Sequence, residues 1–315
     1  MSRTVLVLGG TRFLGRAVVD AVLAAGDHPT LFNRGITNPG LYPGIETLRG
    51  DRDADLSALT GRDWDVVVDV AAYHPDSVRR TVDALADSAG RYVFVSTVSV
   101  YADQDTTDGQ REGAAVLELA DGLGPGDLYG ARKAACERVV VEAFGDRALI
   151  PRPGMIVGPY DPTDRFAYWP RRIARGGQVL APGSPDDPVQ LIDARDLAGW
   201  VVTAYHRELG GIFNVTGVPV RMDRMLAACG PAELVWVPSA WLLAAGVDPW
   251  MGVPMWIAAP GSAAANRVDV SRALAAGLTL RPLAETVRDI RQLVTAPETF
   301  PAADERRLLE AYLAS

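Results

Sequence analysis

Along the first 150 residues, short runs of β-branched and other apolar side chains alternate with longer stretches in which apolar residues recur at helical spacing. The short runs predict strands at Thr4 to Leu8, Thr30 to Phe32, Glu46 to Leu48, Val66 to Val70, Tyr92 to Val95 and Ala148 to Ile150. The helical stretches are Arg16 to Ala25, which Gly26 stops, and Pro75 to Ala89, which Gly90 closes. This alternation favours an open parallel sheet with helices on both faces and a ligand crevice at the carboxyl ends of its strands.

The character of the sequence changes after Pro151. Proline and glycine become frequent, and five of the seven tryptophans fall between Trp200 and Trp256. No low-complexity segment separates the two parts, which indicates a second functional region rather than a linker.

The expected fold is α/β, with a Rossmann-like, doubly wound parallel sheet in residues 1–158. The segment Val189 to Leu197 has the pattern of a strand followed by a helix start, so we expect the chain to return to this domain near residues 189–215. Residues 159–188 and 216–315 are expected to form most of a smaller, mixed C-terminal substrate-binding region.

Composition and charge limit the classes of partner. A chain of 315 residues that is 48% hydrophobic with a net charge of −8 is too apolar to be disordered, and it offers little attraction to nucleic acid. Cys136 and Cys229 lack metal-ligand neighbours, so we expect two buried cysteines and no metal site. Neither a signal peptide nor an apolar run of about 20 residues occurs, so we expect a soluble, cytoplasmic protein with no membrane contact.

A glycine-rich turn follows the first predicted strand and leads directly into the first helix. Its residues are Gly9, Gly10, Thr11, Arg12, Phe13, Leu14 and Gly15. In a dinucleotide-binding fold, glycines at this point allow a tight turn and close approach of a pyrophosphate, which rests on the helix N-terminus. We therefore expect Gly9, Thr11, Arg12, Phe13, Leu14 and Gly15 to contact a nicotinamide dinucleotide.

The residues that follow the second strand bear on the choice between NAD and NADP. NAD-selective folds place a carboxylate there for the ribose hydroxyls, whereas this chain has Asn33, Arg34 and Gly35. Arg34, with help from Arg12, is suited to pair with the 2′-phosphate of NADP, although both arginines also fit an ordinary charged surface. We expect NADP rather than NAD, with Asp51 near the adenine edge or in an exposed loop.

Tyr129 and Lys133 form the most specific pair in the sequence. They lie four residues apart in a predicted helix, so both side chains are on one face. Lys133 is the only lysine among 31 basic residues. A neighbouring cation lowers the pKa of a phenol from about 10, which would make Tyr129 a usable proton donor or acceptor.

Hydroxyl side chains follow the fifth strand in Ser96, Thr97 and Ser99, where they would reach the crevice. With these residues the sequence resembles the extended short-chain dehydrogenase/reductases, also described as NAD-dependent epimerase/dehydratases. The resembling segments cover roughly the first 215 residues and are Gly9 to Gly15, Asp69 to Ala72, Ser96 to Tyr101, Tyr129 to Lys133, Arg152 to Gly154, Val157 to Pro159 and Asp193 to Ala198.

The resemblance implies a role for each matching position. Tyr129 would be the general acid/base, Lys133 would hold the nicotinamide ribose and lower the pKa of Tyr129, and Thr97 would be the catalytic hydroxyl. Ser96 or Ser99 would share that last role. The matching segments would also bring Ala71 and Pro153 to the cofactor.

Three positions depart from the family pattern. Arg12 replaces a glycine of the turn, which favours a cationic pocket for an extra phosphate. Val98 and Ser99 replace the acidic pair of the dehydratases, so elimination is not expected. Met155 replaces an asparagine that nucleotide-sugar enzymes often use, which disfavours a diphosphate-linked substrate.

Candidates for the substrate pocket are aromatic, apolar and hydroxyl side chains. They are Tyr73, His74, Ser99, Tyr101, Met155, Trp169, Trp250 and Trp256. The tryptophans fit a substrate wall, but also a hydrophobic core or a dimer contact. His74 fits either a second acid/base or a structural role.

These observations predict an NADP-dependent oxidoreductase that acts on a carbonyl, an alcohol or an activated double bond of a small, partly hydrophobic molecule. The alternatives are an epimerase or isomerase with tightly bound NAD(P), and a non-catalytic NADP-binding regulatory protein. A reductase releases NADP in each cycle, whereas an epimerase retains its nucleotide. The chain is expected to act as a monomer or homodimer.

Overall fold

Strands and helices alternate through the first half of the computed structural model. The structure describes residues 1–103, 109–249, 252–257, 266–291, 293 and 299–315. In chain order, the elements of the first half are β1 (Thr4–Leu8), α1 (Phe13–Ala24), β2 (His28–Asn33), β3 (Thr47–Arg49), β4 (Trp64–Asp69), α2 (Pro75–Leu85), β5 (Ala89–Phe94), α3 (Pro125–Phe144) and β6 (Ala148–Arg152).

The second half contains shorter strands and helices. They are β7 (Met155–Val157), α4 (Tyr168–Ala174), β8 (Gln178–Pro182), β9 (Pro188–Val189), β10 (Leu191–Asp193), α5 (Ala194–His206), β11 (Gly211–Asn214), β12 (Val220–Arg221), α6 (Met222–Ala228), β13 (Glu233–Val237), α7 (Ser239–Ala244), α8 (Ser271–Ala275), α9 (Leu283–Arg291) and α10 (Ala302–Leu313). Three two-stranded sheets pair β7 with β10, β9 with β12 and β8 with β13.

Within the described ranges, the central sheet has seven strands in the order β3-β2-β1-β4-β5-β6-β11, and every neighbouring pair is parallel. Alternate residues of its strands face opposite layers: Val5 and Val7 pack with α1 and α5, whereas Leu6 and Leu8 pack with α2 and α3. This arrangement confirms the predicted α/β class. The last strand, β11, comes from the segment after α5.

Several elements begin or end at other residues than predicted. α2 ends at Leu85, and β5 begins at Ala89, where helix had been expected. β2 begins at His28 because its ladder with β1 extends to the Thr4–His28 pair, although His28 and Pro29 are poor strand formers. α1 begins at Phe13 rather than Arg16, directly after the glycine turn.

A second hydrophobic core lies among the elements of the second half. It contains side chains of α4, β8, α6 and α9, together with residues of α10. Trp169 and Trp256 are both part of it. This core is separate from the two layers that cover the central sheet.

A buried ion pair lies at the carboxyl end of β4. Arg52 donates two hydrogen bonds to the fully buried Asp69 carboxylate, at 2.9 and 2.7 Å, and the Tyr92 hydroxyl donates a third at 2.9 Å. Burial would raise the pKa of Asp69, but the charge and hydrogen bonds of Arg52 hold that pKa below its usual value. The pair fixes the loop after β3 against β4, beside the crevice.

Removal of the Asp69 carboxylate is expected to destabilise the fold. Asp69→Ala leaves the charge of Arg52 buried without its partner, so the free energy of unfolding should fall by about 3 kcal/mol in urea titrations. Asp63→Ala, at an exposed position, is the control and should change stability by less than about 0.5 kcal/mol. Since the pKa of Asp69 is lowered in the folded state, its contribution should persist at neutral pH and be lost as pH falls below about 4. Equal stability of the two variants would show that the ion pair does not support the fold.

Candidate active site

The glycine turn forms a tight cradle at the amino end of α1. Gly9 and Gly10 have φ angles of 113° and 96°, which side chains rarely adopt. A methyl group at Gly15 would lie 2.7 Å from the Gly10 nitrogen, so the helix packs directly against the turn. No side chain caps α1, and its first turn holds no acidic residue. The free amides and dipole of this helix end suit a pyrophosphate.

Two asparagines connect this turn to the segment after β2. The Asn33 amide donates to the Gly9 carbonyl at 3.3 Å, and its oxygen accepts from the Gly35 amide at 2.8 Å. The Asn38 amide donates to the Thr11 carbonyl at 2.9 Å. Asn33, at the position where NAD-binding folds place a carboxylate, therefore hydrogen-bonds to the backbone of the turn and of Gly35.

The predicted cofactor residues outside the turn lie at the same end of the sheet. Arg34, after β2, is exposed, as is Arg12 within the turn. Asp51 follows β3 and accepts the Asp53 amide at 3.0 Å, in a turn of its own. Two further candidates lie after β4 and β6: the Ala71 amide donates to Asp69 at 3.2 Å, and the Pro153 carbonyl accepts the Val98 amide at 2.9 Å.

Thr97 and Tyr129 meet at the carboxyl end of β5. The Thr97 hydroxyl donates to Ser99 Oγ at 3.2 Å and accepts the Ser99 amide at 3.1 Å. Tyr129 is 38% exposed, at the start of α3. Burial and the neighbouring Tyr73 raise its pKa, while a hydrogen bond with Thr97 and the charge of Arg165 lower it; the net effect is a raised pKa.

Gly130 brings Tyr129 to this position. A methyl group at Gly130 would overlap the carbonyl oxygen of Ser99, so α3 touches the turn after β5 at this residue. Gly130 was not among the residues predicted from the sequence. A glycine directly after the candidate tyrosine, inside a helix that it weakens, was the available signal.

Lys133 lies deeper than Tyr129. Its side chain is 3% exposed, and its ammonium donates to the carbonyls of Val95 at 2.7 Å and Ala72 at 3.0 Å, above the Phe94 ring. Burial lowers the pKa of Lys133 to about 8, against the raising effect of Asp69. The expectation that Lys133 lowers the pKa of Tyr129 needs correction, because in this structure that pKa is raised and the lowering contributions come from Thr97 and Arg165.

Tyr73 and His74 follow β4 and are exposed at the mouth of the site. The Tyr73 ring is 55% exposed, lies 6.2 Å from the Tyr129 ring, and has its centroid 5.7 Å from the Lys133 ammonium. His74 immediately precedes α2. The structure thus places Tyr73 close to both Tyr129 and Lys133.

The loop between β7 and α4 crosses from Tyr129 to the glycine turn. Arg165, whose charge acts on Tyr129, donates to the Thr163 hydroxyl at 3.1 Å. At the other end, the guanidinium of Arg16 in α1 lies 3.7 Å from the centre of the Tyr160 ring. The sequence pattern drew attention only to the aromatic residues of this stretch, so Arg165 was not predicted.

Other candidates for the substrate pocket lie in the interior. Trp169 is fully buried and Trp256 is 2% exposed; they donate to the Pro254 carbonyl at 3.2 Å and Ser239 Oγ at 3.0 Å. The core alternative therefore holds for both tryptophans. Tyr101 is likewise buried and donates to the Asn214 side chain at 2.5 Å, so it does not line the cleft.

Met155 and Trp250 complete the substrate candidates. Met155 is half-buried in β7 and packs against the second core. Trp250 lies outside the described residues. Of the proposed pocket, the structure thus leaves Tyr73, His74, Ser99 and Met155 with surface near the crevice.

A buried network fixes the helix of Tyr129 to the strands beneath it. Arg152 in β6 donates two hydrogen bonds to Glu137 in α3, at 2.9 and 2.6 Å. The Ser96 hydroxyl donates to the same carboxylate at 2.5 Å. Because Ser96 precedes Thr97 and Glu137 follows Lys133 by one helical turn, this network sets the spacing of the catalytic candidates. Ser96 is therefore a positioning residue here.

Comparison with known proteins agrees with this arrangement. The sequence profile of the NAD dependent epimerase/dehydratase family matches residues 5–216. The chain is 28% identical over 256 residues to the chloroplast stem-loop binding protein of 41 kDa b of Arabidopsis thaliana, a match that covers 73% of this chain and 63% of that protein. It is 32% identical over 159 residues to 2'-dehydrokanamycin reductase of Streptomyces kanamyceticus, a match that covers 48% of this chain and 42% of that protein.

The matches therefore span less than two thirds of either curated relative. Among solved structures, UDP-N-acetylglucosamine 4-epimerase from Bacillus cereus is similar with a TM-score of 0.68 and 21% identity, over 92% of this chain and 99% of that one. At that identity the likeness is one of fold. In the described part of the chain, no helix has the length and apolar character needed to cross a membrane.

The close contact at Gly130 predicts the effect of a methyl group there. Gly130→Ala should push α3 away from Ser99 and misplace the Tyr129 hydroxyl, with a loss in kcat of about tenfold or more. Gly126→Ala in the same helix is the matched control, because a methyl group there meets no atom within 4 Å. Circular dichroism would verify folding of both variants. Unchanged kcat in well-folded Gly130→Ala would show that this contact does not position the phenol.

Proposed function

Because the chain belongs to the NAD dependent epimerase/dehydratase family, we propose that it is an NADP-dependent oxidoreductase that acts on a carbonyl or alcohol, or an activated double bond, of a small, partly hydrophobic molecule. The family makes it an NAD(P)-dependent enzyme of the epimerase and reductase type. The observation that carries the finer proposal is the position of Tyr129 beside Thr97, where α3 touches the turn after β5 at Gly130.

A phenol with the ordinary pKa of about 10 is protonated at neutral pH, and burial of Tyr129 favours this form further. A protonated phenol can donate its proton to a substrate oxygen, which is the step that carbonyl reduction requires of a protein side chain. The bound nicotinamide would supply or accept the hydride. Thr97, which is hydrogen-bonded to Ser99 and lies close enough to Tyr129 to lower the pKa of its phenol, would orient the substrate oxygen toward the phenol.

Lys133 is suited to bind the cofactor beside the proton donor. Its ammonium lies in a pocket of carbonyl oxygens near the Tyr73 ring and, by the family resemblance, would turn toward the nicotinamide ribose. A compact ammonium suits such a small pocket better than a planar guanidinium. The site thereby has a use for the chain's one lysine.

The exposed surface near Tyr129 supports a partly hydrophobic substrate. Tyr73 offers an aromatic face beside the phenol, and Met155 contributes an apolar edge. Arg165, whose charge acts on Tyr129, adds a polar group near the phenol. One relative is named as a reductase, in line with this reaction type.

The segment after β2 supports NADP rather than NAD. Asn33 holds the glycine turn and the Gly35 amide, so no carboxylate is available there for a ribose diol. Arg34 is exposed beside it. A guanidinium at this position suits a 2′-phosphate.

A second candidate function is epimerisation with retained nucleotide. The observation that favours it is the loop that links Tyr129 to α1, where Tyr160 packs on Arg16 close to the cofactor cradle. Such a cover would slow exchange of the dinucleotide between turnovers. A product with one inverted stereocentre, formed without net consumption of NADPH, would support this function.

Loss of the Tyr129 hydroxyl is expected to abolish proton transfer but not cofactor binding. Tyr129→Phe should bind NADPH with unchanged affinity and lower kcat by about 10²-fold or more, measured by NADPH oxidation with a panel of ketones. Tyr312→Phe, in α10, is the control and should keep full activity. Full turnover by Tyr129→Phe would overturn the assignment of the general acid.

Reductase and epimerase also differ in the state of the purified protein. A reductase should release little nucleotide on denaturation and should oxidise added NADPH in proportion to product. Chromatography of the supernatant from denatured protein, together with absorbance at the nicotinamide band, measures both. Stoichiometric bound nucleotide without NADPH consumption would replace the first candidate by the second.

A further inference from the structure

Arg49 lies next to Arg34, although the two are far apart in sequence. β2 and β3 are parallel neighbours, and Asn33 pairs directly with Arg49. Paired residues of adjacent strands point to the same face of a sheet, so Arg49 lies on the face where Asn33 holds the glycine turn. The register therefore brings a further cation to the end of β2.

Gly35 shows where the Arg49 guanidinium lies. A methyl group at Gly35 would nearly coincide with Nη1 of Arg49, so the guanidinium crosses directly over this glycine. Gly35 has a φ of 72°, which also favours glycine. The residue directly after Arg34 thus leaves the space that the side chain of Arg49 occupies.

Three carboxylates near this point are already paired with other arginines. Glu46 binds Arg62 at 2.9 Å, and Asp53 binds Arg80 at 3.2 Å. Asp69 is held by Arg52 in the buried pair described above. In the parts of the chain that the structure describes, neither Arg34 nor Arg49 forms an ion pair. Two neighbouring cations without a counter-charge favour an anionic ligand.

We infer that Arg49 is a specificity-determining residue for a ribose 2′-phosphate, acting with Arg34 at the carboxyl ends of β2 and β3. This inference rests on the proposed dependence on NADP and deepens it. A phosphate monoester presents several acceptor oxygens, so it can bind two guanidinium groups at once. Arg34 comes from the loop after β2, whereas Arg49 comes from a strand whose backbone is paired with β2.

Fragments of the dinucleotide test this role without turnover. Calorimetry would compare 2′,5′-ADP, which carries the 2′-phosphate, with 5′-AMP, which lacks it, on the full chain and on Arg49→Ala. Arg49→Ala should weaken binding of 2′,5′-ADP by about tenfold or more and that of 5′-AMP by less than about twofold. Arg62→Ala, which removes a neighbouring arginine paired with Glu46, is the matched control and should leave both affinities unchanged.

The experiment distinguishes failure of the proposed NADP preference from failure of the proposed role of Arg49. Equal affinity of the unaltered protein for the two fragments would overturn the proposed NADP preference and this inference together. A preference for 2′,5′-ADP that survives in Arg49→Ala but not in Arg34→Ala would overturn the inference alone. A second variant, Arg49→Gln, keeps much of the length of the side chain without its charge; selective loss of 2′,5′-ADP binding there would support the role of the charge.

Discussion

The buried ion pair between Glu137 and Arg152 carries much of the geometry of this protein. It joins α3, which bears Tyr129 and Lys133, to β6, which lies between β5 and β11 in the sheet. Ser96 binds the same carboxylate and so attaches the end of β5 to the pair. The carboxylate of Glu137 thus connects α3, β5 and β6. Loss of Glu137 or Arg152 would leave the other charge buried without a partner, which is costly, and would allow these elements to shift.

Burial acts in opposite directions on the two central groups. It raises the pKa of Tyr129 and lowers the pKa of Lys133, since a low-dielectric environment disfavours phenolate and ammonium alike. The phenol is therefore kept protonated by the fold itself. The nearby Asp69 opposes this effect of burial on the ammonium, which also donates to two carbonyl oxygens. The site therefore holds a neutral phenol rather than a phenolate.

The parts of the structure that depend on local sequence could be predicted, and those that depend on register could not. The sheet follows from apolar runs that alternate with helical periodicity, and the glycine turn and the Tyr129 and Lys133 spacing are continuous in the chain. Arg49 gains its place only through the pairing of β2 with β3, and Arg165 through the path of a long loop. Tryptophans are equally suited to cores and pockets, so composition alone did not place Trp169.

The position of β11 has a consequence for the order in which the molecule forms. This strand comes after residue 210 and pairs with β6, whose residues are all buried. Until β11 has left the ribosome, β6 is an edge strand with an unpaired row of amides and carbonyls. The central sheet therefore remains incomplete after its first six strands have been synthesised, because β11 is still missing. It must wait for a segment encoded well beyond them, and the nascent chain is exposed to strand pairing with other chains throughout that interval.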